Sequence, residues 1–170
     1  MVHSIELVFD DATAASLRAS WDQLAADGIP SQAPASRPHV TLTVADRIGE
    51  EVDVALQTLA GRLPFECVVG APVLFGRSTF VLARLIVPTA ELLALHADVG
   101  DRSLPHMLRG PYPNAVPGEW TAHVTLARRV GGAQLWRALR IASRPSQLRG
   151  TFTGLRRWDG GKRAEHLIGG

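Results

Sequence analysis

The sequence predicts an α+β fold built by duplication: a bilobal, pseudo-twofold arrangement of two antiparallel sheets, with helices on the outer faces and a central cleft. Three observations carry this. Alternating, strand-like stretches and helical apolar stripes follow one another along all 170 residues. A His-Val-Thr-Leu tetrapeptide occurs twice, at His39–Leu42 and His123–Leu126, 84 positions apart (123 − 39). The same offset carries Gly76 onto Gly160, and the helical stretch Glu50–Arg62 onto Gln134–Arg144 with little shift. Self-similarity on that scale implies two like units in a single domain spanning 1–170, sharing one connecting strand.

The elements follow in order. Val2–Phe9 alternates as a strand, and Asp10 and Asp11 offer an N-cap to a helix whose stripe is Leu17, Trp21 and Leu24. Asp27-Gly28 stops it, and Ile29–Pro38, with three prolines, reads as a loop. In His39–Val44 one face carries His39, Thr41 and Thr43, the other Val40, Leu42 and Val44. Glu50 and Glu51 open a second helix with the stripe Val52, Leu56, Leu59 and Leu63. Phe65–Phe75 and Thr79–Val87 form strands joined at Gly76-Arg77-Ser78. Pro88 suits the start of a helix lined by Leu92, Leu95, His96 and Val99. Arg102–Glu119 is a long loop with four prolines. Thr121–Val130 is a strand, followed by a helix with Leu135, Trp136 and Leu139 inward. Leu148–Trp158 and Arg163–Ile168 close the chain as a hairpin.

Composition narrows the classes. Apolar residues make up 46% and charged residues 20%, enough for a core and unlike a disordered chain. The formal charge of +2 is a weak argument for nucleic acid, though a basic cleft on a near-neutral protein suits a phosphate substrate. Cys67 is the single cysteine, so no internal disulfide is expected, and it reads as a buried apolar residue in a reducing, cytoplasmic setting. No run reaches the roughly 18 apolar residues of a membrane span. A monomer without cofactor or metal is the expectation.

The chemistry lies in the paired motifs. Residues i and i+2 of a strand share a face, so His39 and Thr41 point together, as do His123 and Thr125. Two such strands related by a pseudo-twofold would converge two imidazoles and two hydroxyls on one volume. A neutral imidazole can take a proton from an attacking oxygen, and an imidazolium can protonate a leaving one. Threonine hydroxyls can hold charge on non-bridging phosphate oxygens. That set suits in-line phosphoryl chemistry without a metal. One His-x-Thr strand is ordinary; two at an interval that superimposes a whole repeat are hard to obtain by chance.

Arg37-Pro38-His39-Val40-Thr41-Leu42 and Ala122-His123-Val124-Thr125-Leu126-Ala127-Arg128 resemble the paired motifs of the 2H phosphoesterase superfamily, in its bacterial 2′-5′ RNA ligase-like, cyclic phosphodiesterase branch. The second departs in having Thr121-Ala122 before the histidine where proline is usual. The resemblance implies a bilobal α+β fold with the site between the lobes. It implies hydrolysis of 2′,3′-cyclic phosphates or 2′-5′ phosphodiesters, with reversible 2′-5′ RNA ligation in some members. The partners implied are RNA ends, 2′-5′ oligonucleotides or small cyclic nucleotides. By analogy His39 is the general acid and His123 the general base.

Secondary candidates for substrate binding are Arg128 and Tyr112. Arg128 stands an odd number of residues from His123, so it reaches the cleft only if a bulge or the strand end re-aims it. Tyr112, in the long loop, would stack on a base or else anchor the loop. Phe75 and Trp158 occupy near-equivalent hairpin positions and suit core packing better than the cleft. His96 reads as a satisfied core histidine. Metal-ligand spacings and a G-x-S-x-G elbow are missing from the sequence, and Cys67 has no basic neighbour, which leaves metallo-, serine and cysteine hydrolases without support. The serious alternative is a non-catalytic protein that binds RNA ends or nucleotides in the same cleft.

Overall fold

The computed structural model describes residues 2–32 and 36–169; residues 33–35, inside the expected Ile29–Pro38 loop, lie outside the described residues. β1 (His3–Phe9) leads into α1 (Asp11–Ala26) through Asp10, whose carboxylate accepts the Thr13 N–H at 2.9 Å. This cap satisfies one of the free amides of the first turn. Gly28, at φ +70°, carries the chain out of α1 in a conformation that a side chain resists. Next come β2 (His39–Ala45), the two-residue β3 (Arg47–Ile48) and α2 (Val52–Ala60). The hairpin β4 (Phe65–Gly76) and β5 (Phe80–Ile86) leads to α3 (Ala90–Ser103) and β6 (Met107–Leu108). β7 (His123–Val130), α4 (Leu135–Ala142) and the hairpin β8 (Leu148–Asp159) and β9 (Ala164–Ile168) complete the chain.

Among the described residues the four helices cover an antiparallel sheet in the order β2-β1-β8-β4-β5-β7, with β9 also on β8. The two expected sheets are fused into this one because β8 is long enough to serve both repeats. Its residues Leu148–Phe152 pair with β4, and Phe152–Asp159 pair with β1. Repeats also exchange helices: α3 packs on β2 and on α2, while α1 packs on β7 and on α4. Val40, Leu42, Val124 and Leu126 of the motif strands are fully buried in the shared apolar core.

Several expectations need correction. α3 starts at Ala90, not Pro88, because the Thr89 hydroxyl accepts the Leu92 N–H at 3.2 Å and caps it. It runs on to Ser103, so the loop begins later, and that loop is not structureless: it holds two 3₁₀ turns and β6, which pairs with β3. Trp136 is 72% exposed. The face of α4 turned to the core is Leu135, Ala138, Leu139 and Ala142, and one residue beyond Leu135 is about 100° around the helix. Thr43 is buried too, for a reason that shapes the site. β2 carries one extra residue opposite Ile5/Glu6, so Leu42 and Thr43 both turn inward. β7 has the matching bulge opposite Leu82/Ala83, and Leu126 and Ala127 both turn inward. A bulge shifts the alternation by one residue. Past it, even-numbered Arg128 falls on the side where His123 and Thr125 lie.

Candidate active site

β2 and β7 are the two outer strands of the sheet path, yet they approach each other in space. A curled sheet brings its own edges together, and both edges carry the motif. His39, Thr41, His123 and Thr125 are each only partly buried, whereas the residues between them are sealed in the core. Edge strands leave carbonyls without ladder partners. Here Trp120 Nε1 donates to the Thr41 carbonyl at 2.9 Å, and Trp21 Nε1 donates to the Thr125 carbonyl at 3.2 Å. Each indole comes from the opposite repeat, so the pair braces the two motif strands across the gap.

The imidazoles are oriented alike. His39 Nδ1 lies 2.8 Å from the Arg37 carbonyl, and His123 Nδ1 lies 2.7 Å from the Thr121 carbonyl. A carbonyl only accepts, so each Nδ1 carries the hydrogen and each Nε2 is left for chemistry. Both bonds run to the residue two before the histidine, a local device that the repeat supplies twice.

Beyond that, the surroundings differ sharply. Opposite Thr41, β1 places Glu6; opposite Thr125, β5 places Ala83. Glu6 is 3% exposed. Its carboxylate accepts from the Ser4 hydroxyl at 2.6 Å and from Arg156 Nε at 2.7 Å, and Oε1 stands 3.5 Å from His39 Nε2. Arg156, 5% exposed, also binds the Glu165 carboxylate and brings a guanidinium nitrogen within 3.3 Å of His39 Nδ1. Glu165 in turn lies 3.9 Å from Arg37. The His39 ring thus has a carbonyl at Nδ1 and a carboxylate near Nε2, with a guanidinium alongside. His123 meets Phe75 instead, ring centroids 4.7 Å apart. Burial lowers its pKa below the usual histidine value, and the positive charges of Arg128 and His39 act in the same direction, against the bond to Thr121. His39 thus faces a carboxylate and a guanidinium, whereas His123 faces an aromatic ring.

Past the matched bulge, exposed Arg128 lies on the side of β7 that carries His123 and Thr125. Tyr112 is not brought to it. Its amide donates to the Val44 carbonyl at 2.9 Å and its hydroxyl to Asp46 at 3.0 Å, at the far end of β2, roughly 17 Å of strand from His39. Phe75 borders the site, where core packing was expected. Trp158 lies under the Arg156 guanidinium, 5.9 Å away. His96 is a core histidine stacked on Trp120 at 3.9 Å, with Nε2 3.0 Å from the Ala115 carbonyl. Cys67 is buried, and burial pushes its thiol up to about 12, far from a nucleophile. Among the described residues no group of three or more His, Cys, Asp or Glu side chains is arranged to hold a metal ion, and no helix is long and apolar enough to cross a membrane. Glu6, Arg156 and the two bracing indoles escaped the sequence reading. The available signal was Glu6 itself, the one carboxylate in its strand, set between Ile5 and Leu7.

The fold has counterparts among solved structures. The TT0787 protein of Thermus thermophilus superimposes with a TM-score of 0.63 at 17% identity, over 100% of this chain and 99% of that one. Escherichia coli LigT, solved with 3′-AMP, gives 0.59 at 13% identity, over 97% and 91%. Kluyveromyces marxianus Usb1 gives 0.57 at 12% identity, over 98% and 97%. At such identities these likenesses establish the fold. No curated protein matches the chain by sequence. The family model described as the 2′-5′ RNA ligase superfamily matches residues 10–162, a stretch that contains both motif strands, both bulges and both bracing indoles. The chain therefore belongs to the 2′-5′ RNA ligase superfamily, the 2H phosphoesterases.

Proposed function

We propose that the protein is a metal-independent phosphodiesterase acting on 2′,3′-cyclic phosphate or 2′-5′ phosphodiester ends of RNA or nucleotides, with His39, Thr41, His123 and Thr125 as its catalytic residues. The observation that carries this reading is the paired Nδ1-to-carbonyl bond, at 2.8 and 2.7 Å, which leaves both Nε2 atoms without a backbone partner on partly exposed faces of strands that approach each other. Neutral His123 Nε2 takes a proton from water as its oxygen bonds to phosphorus. The bond from phosphorus to the leaving ribose oxygen breaks, and that oxygen receives the proton from charged His39 Nε2. The products are a phosphomonoester and a free hydroxyl; solvent returns the two imidazoles to their starting states. The hydroxyls of Thr41 and Thr125 donate to the non-bridging oxygens as charge builds there. Arg128 adds a positive charge beside His123 and serves the phosphate. Tyr112 orders the loop beside β2.

Glu6 supports this polarity, since the carboxylate stands beside the proposed acid and the proposed base has none. Among related folds, LigT was solved with 3′-AMP and one Usb1 structure with uridine monophosphate, ligands of the nucleotide class proposed here. The test is turnover of a dinucleotide 2′,3′-cyclic phosphate and of a 2′-5′-linked dinucleotide, with the position of the product phosphate read out. Hydrolysis of either to a single phosphomonoester regioisomer is the expected result. Tight binding of both without turnover would replace the enzyme by a protein that only holds RNA ends.

A further inference from the structure

The stretch between Glu119 and Asp159 contains eight arginines and no aspartate or glutamate. Arg156 and Arg157 of this stretch are consumed in pairs with Glu6 and Asp53. Arg137, Arg140 and Arg144 are exposed and make no ion pair among the described residues. Their spacing of three and four puts them on one side of α4 and its exit. With Ile141, and with Gln23 and Asp27 of α1, they line a concavity of about 190 Å³, in which three guanidinium groups face one carboxylate. Trp136 stands one turn from Arg140 with 72% of its surface in solvent.

This groove is joined to the catalytic cleft by bonded chain. The Arg128 N–H donates to the Pro30 carbonyl at 3.0 Å, and Gln134 Nε2 donates to the Gly28 carbonyl at 3.0 Å. Gly28 follows Asp27 directly. Exposed Arg128 and Arg129 therefore lie on the way from His123 to the α1/α4 groove. Guanidinium groups attract a string of phosphates, and an exposed indole beside them offers a face for a base. A membrane surface would ask for a continuous apolar face, and Trp136 is the one large apolar residue that α4 exposes.

We propose that the α1/α4 groove and Trp136 form a second contact surface for single-stranded RNA, holding phosphates of the strand whose end lies between His39 and His123. It rests on the reading of the cleft given above and sharpens it: the preferred substrate is a polynucleotide end, not a mononucleotide.

The test is the fluorescence anisotropy of a labelled oligoribonucleotide of roughly ten nucleotides ending in a 2′,3′-cyclic phosphate, titrated with wild type, with R137Q/R140Q/R144Q and with W136A at several salt concentrations. Single-strand binding changes by about 0.7 in the slope of log K on log salt for each phosphate contact, so the triple variant should flatten that slope by about 2. W136A should bind roughly fivefold more weakly, or worse, the worth of one stacked base. In both, kcat/KM for the oligonucleotide should fall relative to that for the dinucleotide. Unchanged affinity and slope in the triple variant overturn the proposal, and so does loss of binding to phosphatidylserine vesicles with RNA binding intact. If wild type hydrolyses neither substrate, the catalytic reading falls alone, because the salt slope still judges the groove.

Discussion

Replacing Glu6 by glutamine removes one negative charge and leaves the side chain's size unchanged. Two consequences can be worked out. Arg156 Nε is 2.7 Å from Glu6, and the two side chains are 6% and 4% exposed, so the pair is buried. Removing one charge of a buried pair costs about 3–5 kcal/mol. Glutamine keeps an acceptor, and Arg156 keeps the half-exposed Glu165, so the lower end, about 3 kcal/mol, applies. In a chain of this length 1 kcal/mol moves Tm by roughly 2–4 °C, which gives a fall of about 6–12 °C. The second consequence concerns His39, whose ring is faced by Glu6, Arg156, Glu165 beyond it, and His123 across the gap. His39 is about one-third exposed, so the water-screened end of the Coulomb scale applies, about 1 kcal/mol at this separation. Losing that contact loosens the hold on the His39 ring, and kcat/KM for the cyclic phosphate should fall by about fivefold. Thermal denaturation and cyclic-phosphate hydrolysis measure both. A lower Tm with unchanged kcat/KM would make Glu6 a structural ion-pair partner only and refute its part in positioning His39.

Other perturbations probe the remaining parts of the site and its frame. Thr41→Ala and Thr125→Ala should each lower kcat by up to about 10²-fold, milder than loss of a histidine, as measured at saturating substrate. Trp21→Phe leaves the Thr125 carbonyl without its donor and opens space in the core, so it should lose about 2–4 kcal/mol in urea denaturation; a loss below about 0.5 kcal/mol would mean the brace is idle. His96 and His123 are both held below the ordinary histidine pKa by burial, so the unfolded chain takes up their protons first. Their contribution to stability is complete above about pH 6.5 and is lost as pH falls through the lower folded values. The urea midpoint should be lower at pH 5.5 than at 7.5, and His96→Asn should shrink that difference. Turnover should survive excess EDTA; loss on chelation with recovery on adding zinc or manganese would move the chemistry to a metal.

What was legible in the sequence was whatever obeys a local period. The strands, the helices and the offset of 84 follow from alternation, apolar stripes and caps, and the paired motifs follow because a strand's i and i+2 side chains share a face. What was hidden depends on a break in period or on a contact between distant segments. The bulges after Leu42 and Leu126 add a residue without any glycine or proline to announce it, and they alone decide that Thr43 is buried and Arg128 is not. β8 joins two sheets because of its length and its place between β1 and β4, a matter of pairing. Glu6 meets Arg156 across 150 positions, and Trp21 reaches Thr125 across 104, too far for any local pattern. Trp136 misled because aromatic residues are usually inside; the small residues Ala138 and Ala142 mark the true inner face.

The central claim is that two histidines, one on each edge strand, act as acid and base on one phosphodiester. The most direct measurement is the rate of hydrolysis of a dinucleotide 2′,3′-cyclic phosphate by wild type, H39A, H123A and H39A/H123A, with Tm recorded for each. Acid–base catalysis by the pair predicts single losses of roughly 10²–10⁴-fold in kcat. It predicts a double loss far below their product, because the two groups serve one proton-transfer sequence. Tm should change little, since both side chains are only partly buried. Wild-type rates from both single variants would contradict the claim and make the motifs structural.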